Sequence, residues 1–280
     1  MREAVLRSPK RSARRQALAL QMSDRSVRRI LHKDLKFHPY KIMIVQKLLQ
    51  GDFAQRRQFC ESILEILNEE MVIMMSDEAH FQLDGTVNKQ NCRYWSSENP
   101  QVLHQRPLHS QKVTVWCGVA QFGIIGPYFF EEDNSTVTVT SARYIEMLNR
   151  FLLPELRRRR VNMQQIWFQQ DGATAHTARA SMQVLCDIFP QHLISRFGDI
   201  HWPPRSPDLS ICDYFLWGYL KSKVYLNKPR NIQELKEFIR VEIANVDEEM
   251  LGRAMKNFEV RLRECIQKEG RHLTDIIFRK

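Results

Sequence analysis

The chain has 280 residues, of which 43% are hydrophobic and 26% are charged, as in an ordinary soluble globular protein. No apolar run approaches the ~20 residues that a membrane-spanning helix needs, and the six scattered cysteines include no CxxC pair, which argues against a disulfide framework or a structural zinc site. The net charge is +10, and residues 1–50 account for all of it, with 13 Lys or Arg against 3 Asp or Glu.

This basic segment has a helical pattern. Residues 11–20 predict a short helix, and Ser23 predicts the N-cap of a second helix over Asp24–Leu35. Two helices joined by a tight turn, the second apolar on one side and basic on the other, fit a helix-turn-helix that places its second helix in the major groove. A solvated basic arm is the alternative. The basic face consists of Arg25, Arg28, Arg29 and Lys33, with Lys36 just beyond.

From Asp52 the pattern becomes that of an α/β protein. A helix is predicted over Asp52–Glu70, and the compact apolar run Met71–Ser76 predicts a strand that is buried on both faces. The order of the remaining elements predicts a mixed sheet with helices packed on its faces. The remaining predicted elements are strands at Cys92–Trp95, Lys112–Ala120, Ile124–Phe130 and Ile166–Gln170, and helices at Ser141–Arg159, His176–Phe189, Asp213–Leu220, Asn231–Ala244 and Asp247–Gln267.

Three aspartates occupy suggestive positions. Asp77 and Asp171 directly follow predicted strands, and Asp213 begins a helix after a proline-rich loop. Functional groups collect at the carboxyl ends of strands in α/β sheets, although a single aspartate there is more often a turn residue or a helix cap. Three converging carboxylates could ionise together only around a cation, and oxygen ligands favour Mg²⁺ or Mn²⁺. His80 and His176 could contact metal or DNA, or more simply support a neighbouring group.

The sequence resembles mariner-like transposases of the DDE/D type. The strings that carry the resemblance to the family's three acidic motifs are MMSDEAHF (74–81), WFQQDGATAHTA (167–178) and WPPRSPDLSICDYFLWG (202–218). The string SDRSVRRILHKDLKFHPYKI (23–42) is similar to the second of the family's two N-terminal helix-turn-helix units and its linker. The resemblance runs from about Ser8 to past Arg230, and the first helix-turn-helix unit is therefore expected to be missing.

The resemblance implies an α/β fold with an RNase H-like mixed sheet flanked by helices, preceded by a small all-helical helix-turn-helix DNA-binding domain. The expected division is residues 1–50 for the DNA-binding segment and linker, and 51–280 for the catalytic domain with C-terminal helices. Carried over to this chain, the catalytic and metal-binding residues are Asp77, Asp171 and Asp213. Asp208 in the SPDL turn takes the place of a structural aspartate.

The activity that the resemblance implies is cleavage of transposon ends and strand transfer into target DNA. It implies Mg²⁺ or Mn²⁺ as cofactor, with two ions, and double-stranded DNA as partner, with Arg25, Arg28, Arg29, Lys33 and Lys36 as the DNA-binding residues. A homodimer at paired ends, a location in the nucleus and no membrane association are also expected. Ile211 departs from the family, because relatives usually have proline there.

Three alternatives stay open at this point. One is a catalytically idle or domesticated DNA-binding protein derived from a transposase, which the missing first unit and Ile211 favour and the intact triad disfavours. Another is a nuclease of the same fold that cuts DNA without joining it. The third, a protein with no role on nucleic acid, conflicts with the concentration of positive charge in residues 1–50.

Overall fold

The computed structural model describes residues 1–8, 11–37, 45–67, 71–85 and 111–273. The predicted strand Cys92–Trp95 lies outside the described residues. The chain forms two compact units, Met1–Gln46 and Lys47–Lys280.

The N-terminal unit is helical. The hydroxyl groups of Ser12 and Ser23 cap the second and third helices by accepting hydrogen bonds from N–H groups three residues further on, which satisfies donors that have no partner inside the helix. Ala17 and Val27 are buried, so the two helices pack through the apolar positions that the sequence predicted. Its helices are α1 (Arg2–Arg7), α2 (Ala13–Ala19) and α3 (Asp24–Arg29, continued by a π-helical turn over Ile30–Asp34).

The C-terminal unit is built on a six-stranded sheet. Its strands are β1 (Val72–Gln82), β2 (Lys112–Ala120), β3 (Gly123–Phe129), β6 (Ile166–Gln169), β7 (Leu193–Ser195) and β8 (Ile200–His201), with a separate pair β4 (Glu131–Glu132) and β5 (Ser135–Thr136). The order of the strands in the sheet is β3-β2-β1-β6-β7-β8. The strands β1, β2 and β3 are antiparallel neighbours, whereas β6, β7 and β8 run parallel to β1.

Helices cover both faces of this sheet. Successive strand side chains point to opposite faces, and along β1 Ile73 and Met75 join one apolar core while Met74 joins the other. The helices are α4 (Gln50–Ile66), α5 (Ser141–Met147), α6 (Leu153–Arg158), α7 (Thr174–Thr177), α8 (Arg179–Ile188), α9 (Trp217–Val224), α10 (Ile232–Ala244) and α11 (Glu248–Gln267). The first core is formed with α4, α9, α10 and α11, and the second with α5, α6 and α8.

Two details differ from the sequence prediction. The predicted strand end at Ser76 is wrong, because β1 continues to Gln82 and pairs antiparallel with β2, where Asp77 lies opposite Cys117. Five short elements were not predicted, namely α1, β4, β5, β7 and β8. The other helices and strands that the structure describes agree with the prediction to within a few residues, and the predicted mixed α/β sheet is confirmed.

None of the helices in the described ranges is both long and apolar enough to cross a membrane.

Candidate active site

The sheet register places two of the predicted aspartates side by side. The parallel pairing of β1 with β6 ends at Met75 and Gln169. Asp77 lies two residues beyond this last pair within β1, and Asp171 lies two residues beyond it in the loop that follows the neighbouring strand β6. The two residues therefore share the edge of the sheet where functional groups collect in α/β folds.

Asp77 is held by a tryptophan from α9. Its Oδ2 accepts a hydrogen bond of 2.7 Å from the indole Nε1 of Trp217. Burial raises the pKa of Asp77 well above its usual value, and the nearby charges of Asp213 and Glu78 raise it further, against a smaller lowering by the Trp217 hydrogen bond. The surroundings of this carboxylate are thus negatively charged, which favours a cation.

Asp171 is held by His176, a residue of the short helix α7 that follows it. Its Oδ1 accepts hydrogen bonds from the N–H of Ala173 at 2.9 Å and from Nδ1 of His176 at 2.6 Å. On the other side of the imidazole, Nε2 of His176 lies 3.1 Å from Oε1 of Glu78. Both ring nitrogens face carboxylates, so the ring donates twice only as the imidazolium.

The pKa shifts of Asp171 and His176 agree with the hydrogen bonds that link them to each other and to Glu78. Burial alone would lower the pKa of His176, but the hydrogen bonds and charges of Asp171 and Glu78 outweigh it and raise the pKa to about 10. Burial alone would raise the pKa of Asp171, but the hydrogen bond and charge of His176 lower it. At neutral pH, Asp171 is therefore an ionised carboxylate in a fixed orientation.

The His176 ring is itself fixed by buried neighbours. The ring of Tyr144 lies against it, with 4.3 Å between the centroids. The Tyr144 hydroxyl donates to Oε1 of Gln170 at 2.8 Å. The amide nitrogen of Gln170 donates to the carbonyl of His176 at 3.2 Å and to the hydroxyl of Ser195 at 3.0 Å. This network joins the ends of β6 and β7 to helix α7, which carries His176.

Asp213 stands at the start of a π-helical turn, Cys212–Leu216, that leads into α9. Its pKa is raised to about 6, first by the loss of water around the carboxylate and then by the charges of Asp171 and Asp208, against the lowering effects of the Ser210 hydroxyl and of Lys221. Part of the residue still reaches solvent. Asp213 therefore lies within electrostatic range of both Asp77 and Asp171.

Asp208 has a different environment. Its two carboxylate oxygens accept hydrogen bonds of 2.8 and 2.7 Å from Nη1 and Nη2 of the buried Arg56 in α4. Its main-chain carbonyl accepts a further bond of 2.8 Å from Arg261 in α11. These contacts tie the proline loop to two helices, in agreement with the structural role that the sequence assigned to Asp208.

The three aspartates suit a divalent cation by their chemistry. Carboxylate oxygens are the ligands that Mg²⁺ and Mn²⁺ prefer, and a cation would relieve the repulsion that raises the pKa of Asp77 and Asp213. Within the described ranges, however, no group of three or more His, Cys, Asp or Glu side chains is arranged so that it could hold an ion. The assignment of Asp77, Asp171 and Asp213 as metal ligands therefore stays a prediction.

Replacement of Asp213 by asparagine tests this electrostatic arrangement without any assay of activity. Since the folded-state pKa of Asp213, about 6, lies above its ordinary value of 3.8, the wild-type chain loses stability as the pH rises through this range. Asp213→Asn should therefore raise the thermal midpoint at pH 7.5 in EDTA, by about 1 kcal/mol once screening at this partly exposed carboxylate is considered, or roughly 2–4 °C.

Thermal unfolding at pH 4 and pH 7.5 checks this expectation. The gain should vanish at pH 4, and an excess of Mn²⁺ at pH 7.5 should stabilise the wild-type chain more than the variant. Asp133→Asn, in an exposed turn, is the matched control and should change neither midpoint. Equal midpoints of wild type and Asp213→Asn at pH 7.5 would contradict the raised pKa of Asp213 described above.

The predicted DNA-binding residues lie in the N-terminal unit and are exposed to solvent, namely Arg25, Arg28, Arg29, Lys33 and Lys36. Arg28 also forms an exposed ion pair of 2.8 Å with Asp24 on the preceding turn of α3. Such a pair contributes little to stability, so Arg28 can exchange Asp24 for another anion.

Sequence reasoning missed three contacts of this region. Glu78 was not proposed, because an acidic residue next to Asp77 points to the opposite face of a strand, and its partner His176 is 98 residues away. Trp217 falls within the predicted helix Asp213–Leu220, and nothing in that pattern indicates that its indole nitrogen bonds to Asp77. Arg56 falls on a predicted helix whose spacing marks it as polar, with no signal of a buried partner.

The two histidines of the motifs have supporting roles. His176 was correctly expected to support a neighbour, and His80 bonds to Thr114 at 3.0 Å.

Comparisons with known proteins are consistent with this geometry. No family model matches the chain. The mariner Mos1 transposase of Drosophila mauritiana is 24% identical over 268 residues, which cover 91% of this chain and 72% of that protein. The crystal structure of the Mos1 mariner paired end complex with Mn superposes with a TM-score of 0.73 at 21% identity, over 97% of this chain and 78% of that one. The catalytic domain of Mos1 gives 0.61 at 20% identity, over 82% and 99%.

The order of the sheet supports the same conclusion, since three antiparallel strands are followed by parallel strands added on the other side of β1. Together with the match to the isolated Mos1 catalytic domain, this order identifies the C-terminal unit as RNase H-like. In sequence and in fold, the chain is similar to the mariner Mos1 transposase.

Proposed function

We propose that this chain is a DNA transposase of the mariner type, which cleaves transposon ends and transfers the freed strand into target DNA. The observation that carries the proposal is the position of three motif aspartates near one edge of an RNase H-like sheet. Asp77 lies in β1, Asp171 follows the end of the neighbouring strand β6, and Asp213 approaches from the helical segment after the proline loop, within range of both their charges.

Asp77, Asp171 and Asp213 are proposed to hold Mg²⁺ or Mn²⁺, with two ions at the site. The related Mos1 paired end complex is a complex with Mn, which supports the choice of metal. Bound ions of this kind lower the pKa of water and stabilise charge on the oxygens of a phosphoryl group. The repulsion among the carboxylates supports the proposal, because it disfavours their joint ionisation unless a cation is present.

The chain's own residues orient the carboxylates. Trp217 restrains one oxygen of Asp77, and His176 together with the N–H of Ala173 restrains one oxygen of Asp171. Each aspartate then presents its second oxygen in a limited range of directions. Because Glu78 holds the far side of the His176 ring, the imidazolium cannot rotate away from Asp171 without losing a second ion pair.

The N-terminal unit is proposed to bind the DNA ends. Its exposed cations, Arg25, Arg28, Arg29, Lys33 and Lys36, would contact phosphates beside the major groove. The related Mos1 transposase forms a paired end complex, which supports a homodimer that holds two DNA ends. Because it would act on genomic DNA, the chain is proposed to work in the nucleus.

A second candidate is a DNA-binding protein that descends from a transposase and has become catalytically idle. It is favoured by the observation that the described residues include no ready cluster of metal-binding side chains. In this case the N-terminal unit would retain its role, and the aspartates would no longer act together on an ion.

Cleavage and joining by the full chain distinguish these candidates. A duplex selected by the wild-type chain from a random library would be offered as a labelled substrate in Mn²⁺, with EDTA as control. The transposase proposal expects metal-dependent cleavage, and joining of a pre-cleaved 3′ end to a plasmid. Binding without cleavage would select the idle protein, and cleavage without joining would select a nuclease.

A further inference from the structure

The turn that follows β7 lies beside the candidate active site. In the parallel pairing of β6 with β7, Gln169 is opposite Ile194. The next residues along the two strands bring Arg196 alongside Asp171. Contact confirms this placement, because the Arg196 side chain lies 3.7 Å from the position that a Cβ atom of Gly172 would occupy.

This turn is tightly anchored. The Leu193 N–H donates to Oδ2 of Asp199 at 3.0 Å, which closes the turn over residues 193–199. A side chain at Gly198 would meet the carbonyl oxygen of Leu193 at 2.4 Å, so only glycine fits here. The hydroxyl of Ser195 is bonded to Gln170, the residue before Asp171. The turn and the Asp171 loop are therefore fixed to each other.

The tip of the turn exposes a large ring. The side chain of Phe197 is 59% exposed, and it is the one aromatic residue among the strongly exposed hydrophobic residues that the structure describes. The guanidinium carbon of Arg196 lies 5.1 Å from the centroid of this ring. Within the described part of the chain, no carboxylate lies at ion-pair distance from Arg196, so its charge is available to an external anion.

We propose that Arg196 and Phe197 form a binding site for an unpaired DNA base and its phosphate, next to Asp171. The proposal rests on the function proposed above. A flat exposed ring offers a surface on which any base can stack, and an adjacent guanidinium attracts the phosphate of the same nucleotide. An anchored turn holds both groups at little entropic cost, since neither needs a mobile loop to order. The site would hold a strand opened near the end that the aspartates act on.

The test compares binding of the full chain, in EDTA, to two end duplexes of the same selected sequence. One duplex is fully paired, and the other has three unpaired nucleotides at its end. The wild-type chain should prefer the opened duplex, and Phe197→Ala should lower the affinity for it by roughly tenfold with little effect on the paired one. Phe197→Trp should retain the preference. Val260→Ala, an exposed residue of α11, is the matched control and should behave as wild type.

Photocrosslinking gives a second readout that does not depend on catalysis. With 5-iododeoxyuridine at the unpaired position, the crosslinked peptide should contain Phe197 in the wild-type chain and be lost in Phe197→Ala. An unchanged preference in Phe197→Ala, or a crosslink elsewhere, would overturn the proposal. A change of oligomeric state in Phe197→Ala with unaltered binding would overturn it as well, and would assign the ring to a protein contact.

The failure of this site is distinguishable from the failure of the proposed function. If the wild-type chain cleaves and joins DNA while Phe197→Ala binds both duplexes like wild type, the base-binding site alone is wrong. If the wild-type chain binds neither duplex, the proposed function and the base-binding site are both wrong.

Discussion

Asp171→Asn should lose metal-dependent DNA cleavage by roughly 10³-fold or more while it retains DNA binding. The loss follows because one carboxylate of the proposed ion site becomes neutral, and charge stabilisation by a bound ion is worth several kcal/mol in the transition state. The fold should persist, since the amide oxygen of asparagine can still accept the hydrogen bonds of 2.9 Å from Ala173 and 2.6 Å from His176. Binding should persist because the proposed DNA-binding cations lie in the Met1–Gln46 unit.

Cleavage of the selected duplex in Mn²⁺ and a gel-shift titration in EDTA measure the two parts of this expectation. Asp187→Asn, on the exposed side of α8, is the matched control and should cleave like the wild-type chain. Equal cleavage by Asp171→Asn would remove Asp171 from the catalytic assignment. Loss of both cleavage and binding would instead indicate that the substitution disturbs more than the ion site.

Asp208→Ala should destabilise the protein by about 3–5 kcal/mol, because it leaves a buried guanidinium without its partner. The side chains of Arg56 and Asp208 are 0% and 8% exposed, and two hydrogen bonds join them. In a unit of this size the thermal midpoint should fall by roughly 10 °C. At temperatures where the variant is folded, it should still cleave DNA, since Asp208 does not belong to the proposed ion site.

Thermal unfolding and low-temperature cleavage test these two statements separately. Glu259→Ala, which breaks an exposed ion pair with Arg263, is the control and should cost less than about 1 kcal/mol. A normal thermal midpoint combined with loss of cleavage in Asp208→Ala would reverse the assignment, and would make Asp208 rather than Asp213 the third aspartate of the site.

Much of the fold follows from local patterns in the sequence. The long amphipathic helices α4, α10 and α11 were predicted closely, because their apolar positions repeat at helical spacing over several turns. The N-cap Ser23 was also predicted, since a cap bonds to a backbone N–H only three residues away. Such features need no knowledge of distant partners.

The features that sequence reasoning missed depend on distant partners. The second half of β1 is stabilised by its ladder with β2, and the apolar pattern before Asp77 gives no sign of it. The strands β7 and β8 have only three and two residues, too few for a period to be detected.

The candidate site also contains residues that local patterns indicate and residues that only the tertiary fold brings into place. The three aspartates were found through motifs, and their roles stay predictions until cleavage is measured. The groups that orient them could not be found by spacing, because Trp217 bonds to Asp77 across 140 residues and Glu78 bonds to His176 across 98. A local pattern indicates the charged residues of such a site, and the tertiary fold decides which neighbours restrain them.

The buried Arg56 also constrains the order in which this protein completes its contacts during translation. Its Nε donates to the carbonyl of Gly270 at 2.8 Å, so a residue of the first helix of the C-terminal unit takes its partner from 214 residues further along the chain. During translation, the helical Met1–Gln46 unit has all of its contacts available early. The RNase H-like unit cannot close around Arg56 until residue 270 has left the ribosome. A nascent chain would therefore present its basic helices before the C-terminal unit is closed, and the proposed aspartate site would be complete only after residue 270 has emerged.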